Sequence, residues 1–343
     1  MTVTHAAIEA GEAPSLAPLI DMLSADMAGV NATIIDRMAS EVPLIPQLAG
    51  HLIASGGKRM RPMMTVAGAM LGSGDAAVRA PAIKLATAVE FIHSATLLHD
   101  DVIDESKLRR GQDTANALWG NDASVLVGDF LFARAFELMV EAGDITVLGR
   151  LAAAARITEG EIKQMAITGQ PDTPVDDYFD VIGGKTAVLF SAAAAAGIEI
   201  TGAPAAQVEA MRVYGMELGM AFQIMDDALD YTASAEQMGK NAGDDFADQK
   251  ITLPTILAWQ DGDAEERAFW QRTLGEADFA EGDLERAQAL LASHDAVNRS
   301  VAVAHDHAVK AAAALAPFIG GERTAPLARA LADAALFAAH RAS

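Results

Sequence analysis

The stretch LLHDDVID, Leu97 to Asp104, and the stretch FQIMDDALD, Phe222 to Asp230, each close a long apolar segment, and both carry the spacing Asp-Asp-x-x-Asp. Residues three and four apart share a helix face, so Asp100 stands with Asp104, and Asp226 with Asp230. Each segment therefore reads as an apolar helix whose last turn sends its carboxylates one way. Clustered carboxylates repel unless positive charge lies between them. Two such helix ends facing across a cavity would hold several hard divalent cations, and Mg²⁺ with oxygen ligands and bound phosphates suits them.

Outward from these stretches, the pattern stays helical. From about Ser15 on, apolar residues recur at three and four, alanine is abundant, and alternating β-branched runs are nearly absent. Breaks are expected at Gly56-Gly57, Gly72-Ser73-Gly74, Gly120-Asn121, Gly169 to Pro174, Gly183-Gly184, Gly202 to Pro204 and Met238 to Thr252. The last break is polar, rich in Gly and Asp, and follows the second cluster, so it reads as a mobile flap over a site. No Ser/Gly-rich linker divides the chain. The fold is expected to be all-α, with residues 15–343 forming one domain behind a disordered tail of residues 1–14.

The chain has 343 residues, 51% of them hydrophobic, which is ample for a large core. It has no cysteine, which excludes disulfides, thiolate metal sites and a Cys nucleophile. The formal charge of −22 speaks against non-specific binding to nucleic acid or an anionic membrane. The first residues show neither a basic region nor an apolar one, so a secretory signal is not expected. The longest apolar runs fall short of the roughly 20 residues of a membrane span. A soluble cytoplasmic enzyme without stable membrane insertion is expected.

Basic residues are few, so their grouping carries information. Lys58, Arg59 and Arg61 lie in Gly56-Gly57-Lys58-Arg59-Met60-Arg61-Pro62, where free N–H groups and forked donors would cradle a diphosphate. The alternative, a basic helix start, runs against the helix dipole. Arg109-Arg110-Gly111 follows the first cluster closely, Lys185-Thr186 follows Gly183-Gly184, and Lys240 and Lys250 flank Gly243-Asp244-Asp245. Any one of these alone reads more readily as a solvated surface charge; together they alternate with carboxylates around one pocket. Below Asp100, Ala95 and Thr96 lie about one helical turn down, and Ile92 and His93 about two. Small side chains there fit an open volume and close helix–helix packing equally well.

These blocks, in this order, resemble the trans-isoprenyl diphosphate synthases, or polyprenyl synthetases, over almost the whole chain. Gly56 to Pro62 is similar to the family's GGKRxRP. Asp100 to Asp104 with Arg109-Arg110-Gly111 is similar to its first DDxxD motif followed by RRG. Gly184-Lys185-Thr186 resembles its GKT turn, and Phe222 to Asp230 its FQxxDDxxD. Gly239-Lys240, Gly243-Asp244-Asp245 and Lys250 to Pro254 resemble its closing GK, GDD and KxTLP. One DDxxD alone is weak; five blocks in order are specific.

The resemblance implies an orthogonal helical bundle around a deep central cavity, the isoprenoid synthase fold. It also implies elongation of an allylic diphosphate, farnesyl or geranylgeranyl, by isopentenyl diphosphate. It assigns Asp100, Asp101, Asp104, Asp226, Asp227 and Asp230 to an Mg²⁺ cluster, about three ions when substrate is bound, with Asp100, Asp104 and Asp226 as direct ligands. Arg109, Lys185 and Lys250 would stabilise the leaving diphosphate. Lys58, Arg61, His93 and Arg110 would form the isopentenyl diphosphate site, Lys240 would help bind substrate, and Thr186 and Gln223 would place dipoles at the allylic carbon. No side chain is an obvious base, so the released diphosphate would take the final proton. A homodimer packed through helices is also implied.

Competing readings fit less well. A terpene cyclase would carry a second motif resembling NDxxSxxxE, which Asp226 to Asp230 does not match. A metal-dependent phosphohydrolase would need further His and Asp ligands beyond His99-Asp100. A non-catalytic subunit of a heteromeric synthase would have lost carboxylates or cations. A purely structural helical protein would not need so many carboxylates at buried helix ends. Short-chain members of the family place Phe or Tyr four or five residues before the first motif, where this chain has Ala95 and Thr96. Ile92 to Asp101 instead resembles the octaprenyl and decaprenyl synthases of ubiquinone biosynthesis. The implied product is therefore long, C40 to C50, with a short C15 to C20 product as the alternative.

Overall fold

A computed structural model describes residues 13–54, 57–109, 111–153, 156–232 and 243–340. The described chain runs α1 (Ala17–Arg37), α2 (Leu44–Ala54), α3 (Met60–Gly72), α4 (Arg79–Ile103), α5 (Ala115–Trp119), α6 (Asn121–Ala142), α7 (Ile145–Ala153), α8 (Ile157–Ile167) and α9 (Val175–Ile182). It continues through α10 (Val188–Glu199), α11 (Ala205–Asp230), α12 (Asp244–Ala247), α13 (Leu253–Asp261), α14 (Ala264–Trp270), α15 (Asp283–Ser293), α16 (Ala296–Ala314) and α17 (Ala325–Ala338). Among the described residues, the sheet is a single hairpin, β1 (Leu108–Arg109) with β2 (Gln112–Asp113), paired Leu108 to Asp113 and Arg109 to Gln112. Gly111, at a φ of 75°, closes its turn, a conformation that favours glycine.

Two apolar clusters form the core. One draws on α1, α3, α4, α6, α10, α17 and the first half of α11, the other on α9, α13 to α16 and the second half of α11. α11 runs through both: Met211, Tyr214 and Leu218 lie in the first, Ala221, Ile224 and Met225 in the second. α4 packs mainly on α6, α11 lies between α10 and α16, and α10 touches both α4 and α11. The two aspartate-bearing helices are thus anchored in different parts of the core, with α10 between them.

Small residues let these helices approach closely. Ala192 to Ala196 of α10 are all buried, and a Cβ on Gly197 would collide with the backbone of Thr65 in α3. A side chain on Gly215 of α11 would strike the backbone of Phe190 in α10. Val175–Glu199 is one continuous helical run, long and apolar enough to cross a membrane, yet 78% of its apolar window is buried inside the protein.

The break expected at Gly183-Gly184 does not occur. The helix passes through as a π-helical turn, Gly183–Ala187. Gly184 faces Gly160 of α8, and a Cβ on Gly160 would collide with the Lys185 backbone. These glycines permit close helix contact rather than a hinge, and a π turn interrupts the register where a functional side chain must be re-aimed. The segment expected as a flap, Met238 to Thr252, is described only from Gly243 on. Residues 233–242, including Lys240, lie outside the described residues. From Gly243 on, the segment is a short helix pinned by the buried ring of Phe246.

Candidate active site

The first motif is the end of α4. Asp104 caps the helix, its N–H donating to the Asp100 carbonyl at 2.8 Å. A helix C-terminus carries partial negative charge, so carboxylates there are doubly disfavoured. Asp100 is raised to about 7, first by burial, then by Glu161 and Asp104, while Lys185 and Arg109 pull it down. Asp101 turns inward. Its carboxylate takes Arg109 Nη2 at 2.7 Å and Nε at 3.1 and 3.2 Å, and Asn116 Nδ2 holds its backbone carbonyl at 3.0 Å. The strand β1 that carries Arg109 folds back onto the motif and keeps the cation beside it.

The second motif ends α11. Asp227 is buried and accepts from Tyr178 OH at 2.6 Å and Gln223 Nε2 at 2.7 Å. Burial and then Asp245 raise it to about 8, against the pull of those two hydrogen bonds. Asp230, also buried, accepts the Asp245 backbone N–H at 3.0 Å.

Lys250 joins the two motifs. Its Nζ lies 2.9 Å from Asp248, 3.5 Å from Asp104 and 3.7 Å from Asp245. Burial opposes its charge, but Asp245, Asp104 and Asp248 outweigh that and raise its pKa. Beside it an opening of about 400 Å³ is lined by Asp104, Glu161, Gln164, Asp248 and Lys250. Lys185 reaches toward the same place: its Nζ is 2.6 Å from Glu161 and donates to Gln164 Oε1 at 2.5 Å. Thr186 Oγ1 donates to Gln223 Oε1 at 2.8 Å.

A second cationic group lies across α3 and α4. Arg61 Nη1 is 3.0 Å from His93 Nε2, and its guanidinium stacks on Phe190 at 4.3 Å. Burial lowers Arg61 to about 10, with Glu90 and Asp226 acting against it. Arg59 is spent on Glu90, and Lys58 places its ammonium 4.7 Å from the centre of the Phe337 ring. Gly56 and Arg110 lie outside the described residues.

On α4, Thr96 and His93 share the Asp100 face and are half-buried, with Thr96 Oγ1 donating to the His93 carbonyl at 2.8 Å. Ile92 and Ala95 are buried in the first core cluster, Ala95 with no accessible surface. Ala95 is packed against the core, whereas Thr96, one residue on, is half-buried on the Asp100 face.

Sequence reading missed Glu161, Gln164 and Tyr178. The first two sit three apart on α8, one face of one turn, and that spacing was the available signal. Tyr178 gave none, because a lone tyrosine in an apolar helix reads as core.

Mg²⁺ fits this donor set. Among the described residues no three His, Asp or Glu groups form a preformed cage. Mg²⁺ is usually held by one or two carboxylates, waters and substrate phosphates, so a cage is not required. Asp100, Asp104 and Asp226 would supply hard oxygens at two dipole-opposed helix ends, and burial, then Glu161 and Asp104, raise Asp100 where a bound cation would favour its ionised form.

Fold and site together describe an all-α protein with two carboxylate-bearing helix ends and cations set beside them. Residues 42–291 match the polyprenyl synthetase family. The chain is 46% identical over 255 residues to the octaprenyl diphosphate synthase of Escherichia coli, covering 74% of this chain and 77% of that one. It superposes on a polyprenyl synthase from Caulobacter crescentus, solved with calcium and isoprenyl diphosphate, with a TM-score of 0.91 at 48% identity, covering 97% and 99% of the two chains. A decaprenyl diphosphate synthase from Rhodobacter capsulatus gives 0.89 at 47% identity, covering 96% and 100%. The chain belongs to the polyprenyl synthetase family. It is a prenyltransferase, a long-chain all-trans polyprenyl diphosphate synthase.

Proposed function

We propose that the protein adds isopentenyl diphosphate repeatedly to farnesyl or geranylgeranyl diphosphate and releases a C40 to C50 product, octaprenyl or decaprenyl, for a ubiquinone side chain. The observation that carries this is Lys250, set between Asp104 of the first motif and Asp245, whose backbone N–H holds Asp230 of the second. It makes the two helix ends one charged site. Bound Mg²⁺, about three ions, would act as a Lewis acid that turns the allylic diphosphate into a leaving group. Asp100, Asp104 and Asp226 hold the metal. Lys185, Lys250 and Arg109 place positive charge where the leaving diphosphate gathers negative charge. Lys58, Arg61 and His93 bind the diphosphate of the second substrate, joined by Arg110. Gln223 and Thr186 face the allylic carbon.

Residues 15–343 serve as one catalytic domain in a soluble cytoplasmic enzyme. We propose a homodimer built on α6, because that helix exposes Leu126, Phe136 and Val140, and Ile145 follows it closely. Incorporation of radiolabelled isopentenyl diphosphate into an acid-stable lipid, dependent on farnesyl diphosphate and abolished by EDTA, is the expected result. No incorporation with any allylic primer would overturn the proposal.

A further inference from the structure

A chain of hydrogen bonds runs from Tyr178, to which no metal or substrate role is given, through Asp227 to Gln223 and Thr186. Tyr178, buried on α9, donates its hydroxyl hydrogen to Asp227 Oδ2 at 2.6 Å. Asp227 Oδ1 accepts from Gln223 Nε2 at 2.7 Å, and Gln223 Oε1 accepts from Thr186 Oγ1 at 2.8 Å. Both Asp227 oxygens are therefore occupied by donors from inside the protein.

The direction of this chain follows from donor and acceptor chemistry. Gln223 Nε2 donates to Asp227 Oδ1, and once Asp227 is ionised its oxygens can only accept, which holds the NH₂ of the Gln223 amide on that side. The carbonyl oxygen must then point the other way, toward Thr186. Gln223 and Asp227 are one helical turn apart on α11, so this contact is built into the helix. The phenol enters from α9, at the far end of the run that carries Lys185 and Thr186 through the π turn.

We propose that Tyr178 and Asp227 are positioning residues that fix the Gln223 amide with its carbonyl oxygen toward the reacting allylic carbon, and that Asp227 does not ligate metal. The inference rests on the functional reading above. As the bond from that carbon to the diphosphate oxygen lengthens, positive charge develops on the carbon. A fixed carbonyl dipole stabilises that charge, whereas an amide NH₂ in the same place would oppose it. Asp227 thus separates from Asp226 and Asp230 in role despite their shared motif.

The test uses the full-length protein and three variants. Tyr178→Phe removes one donor and should lower kcat roughly tenfold. Asp227→Asn keeps the shape but gives the position a donor, which turns the Gln223 amide around; kcat should fall roughly a hundredfold or more. For both, three quantities should stay within about twofold of wild type. These are the KM for isopentenyl diphosphate, the Mg²⁺ concentration giving half-maximal rate, and the affinity for an unreactive allylic thiolodiphosphate read by thermal shift. In a Gln223→Ala background, Asp227→Asn should have little further effect, because there is no amide left to turn.

Additive losses in that double variant would overturn the proposal, as would a shifted Mg²⁺ dependence for Asp227→Asn. Equal kcat for Tyr178→Phe and wild type would overturn the role of the phenol. If wild type itself fails to elongate farnesyl diphosphate, the functional reading fails instead, so the two failures are separable.

Discussion

The two aspartate motifs share one spacing and differ in what holds them. In the first, the middle aspartate, Asp101, is clamped by a guanidinium, and Lys185 acts on Asp100. In the second, the middle aspartate, Asp227, is equally buried but is held by a phenol and an amide, both neutral. The first motif brings its own positive charge; the second depends on charge arriving from elsewhere. A motif therefore specifies where carboxylates point, while the elements packed behind it decide what each carboxylate does. Lys250 touches both Asp104 of the first motif and Asp245 beside the second.

The largest effects should come from the outward-facing members. Asp100→Asn and Asp226→Asn should each lower turnover by several orders of magnitude, with helical circular dichroism unchanged, because these groups stabilise the transition state rather than the fold. Wild-type turnover of either variant in the standard assay would erase the proposed asymmetry between outward and inward aspartates.

Next come the cations. Lys185→Ala and Lys250→Ala should slow allylic ionisation by roughly a hundredfold or more, the scale of losing an electrostatic donor. Arg61→Ala and Lys58→Ala should instead raise the KM for isopentenyl diphosphate, each lost contact being worth roughly 1.5–3 kcal/mol. Steady-state kinetics with each substrate varied in turn would separate the groups. A common substrate dependence for all four would merge the two diphosphate sites into one.

Stability should follow pH with a definite sign. Asp100 and Asp227 titrate at about 7 and about 8 in the folded protein, whereas an unfolded aspartate titrates near about 3.9. Between those limits the folded state holds protons that the unfolded chain has released, so stability falls as pH rises from about 4 to about 8. Metal-free protein should lose several degrees of Tm across that window by scanning calorimetry. Mg²⁺ with pyrophosphate should flatten the curve. A Tm that stays level without metal would mean these carboxylates are not desolvated.

The smallest change in turnover is expected on α4. Thr96→Phe places a ring on the Asp100 face and should shorten the product while leaving the enzyme folded. Ala95→Phe pushes a ring into the core and should destabilise by roughly 1–3 kcal/mol. Thermal melts and product chain length would check both. If Ala95→Phe melts as wild type and still shortens the product, the growing tail passes on the core side of α4.

The sequence carried the helices and the outward carboxylates well, because apolar periodicity and i, i+4 spacing are local properties. It misled at Gly183-Gly184, since glycine marks a flexible break and a tight helix contact alike, and the deciding neighbour, Gly160, is set by the tertiary fold. It placed Arg109 close behind the first motif, and the hairpin at Gly111 sets its guanidinium on Asp101. Glu161 and Gln164 offered only their three-residue spacing on α8, and Tyr178 offered none, because its partner Asp227 lies on another helix.

The most direct test of the account is the length of the chain the enzyme makes. The purified protein, given farnesyl diphosphate, excess isopentenyl diphosphate and Mg²⁺, should yield a dephosphorylated all-trans product of C40 to C50 by mass spectrometry. A product of C20 or less, or none, would contradict it.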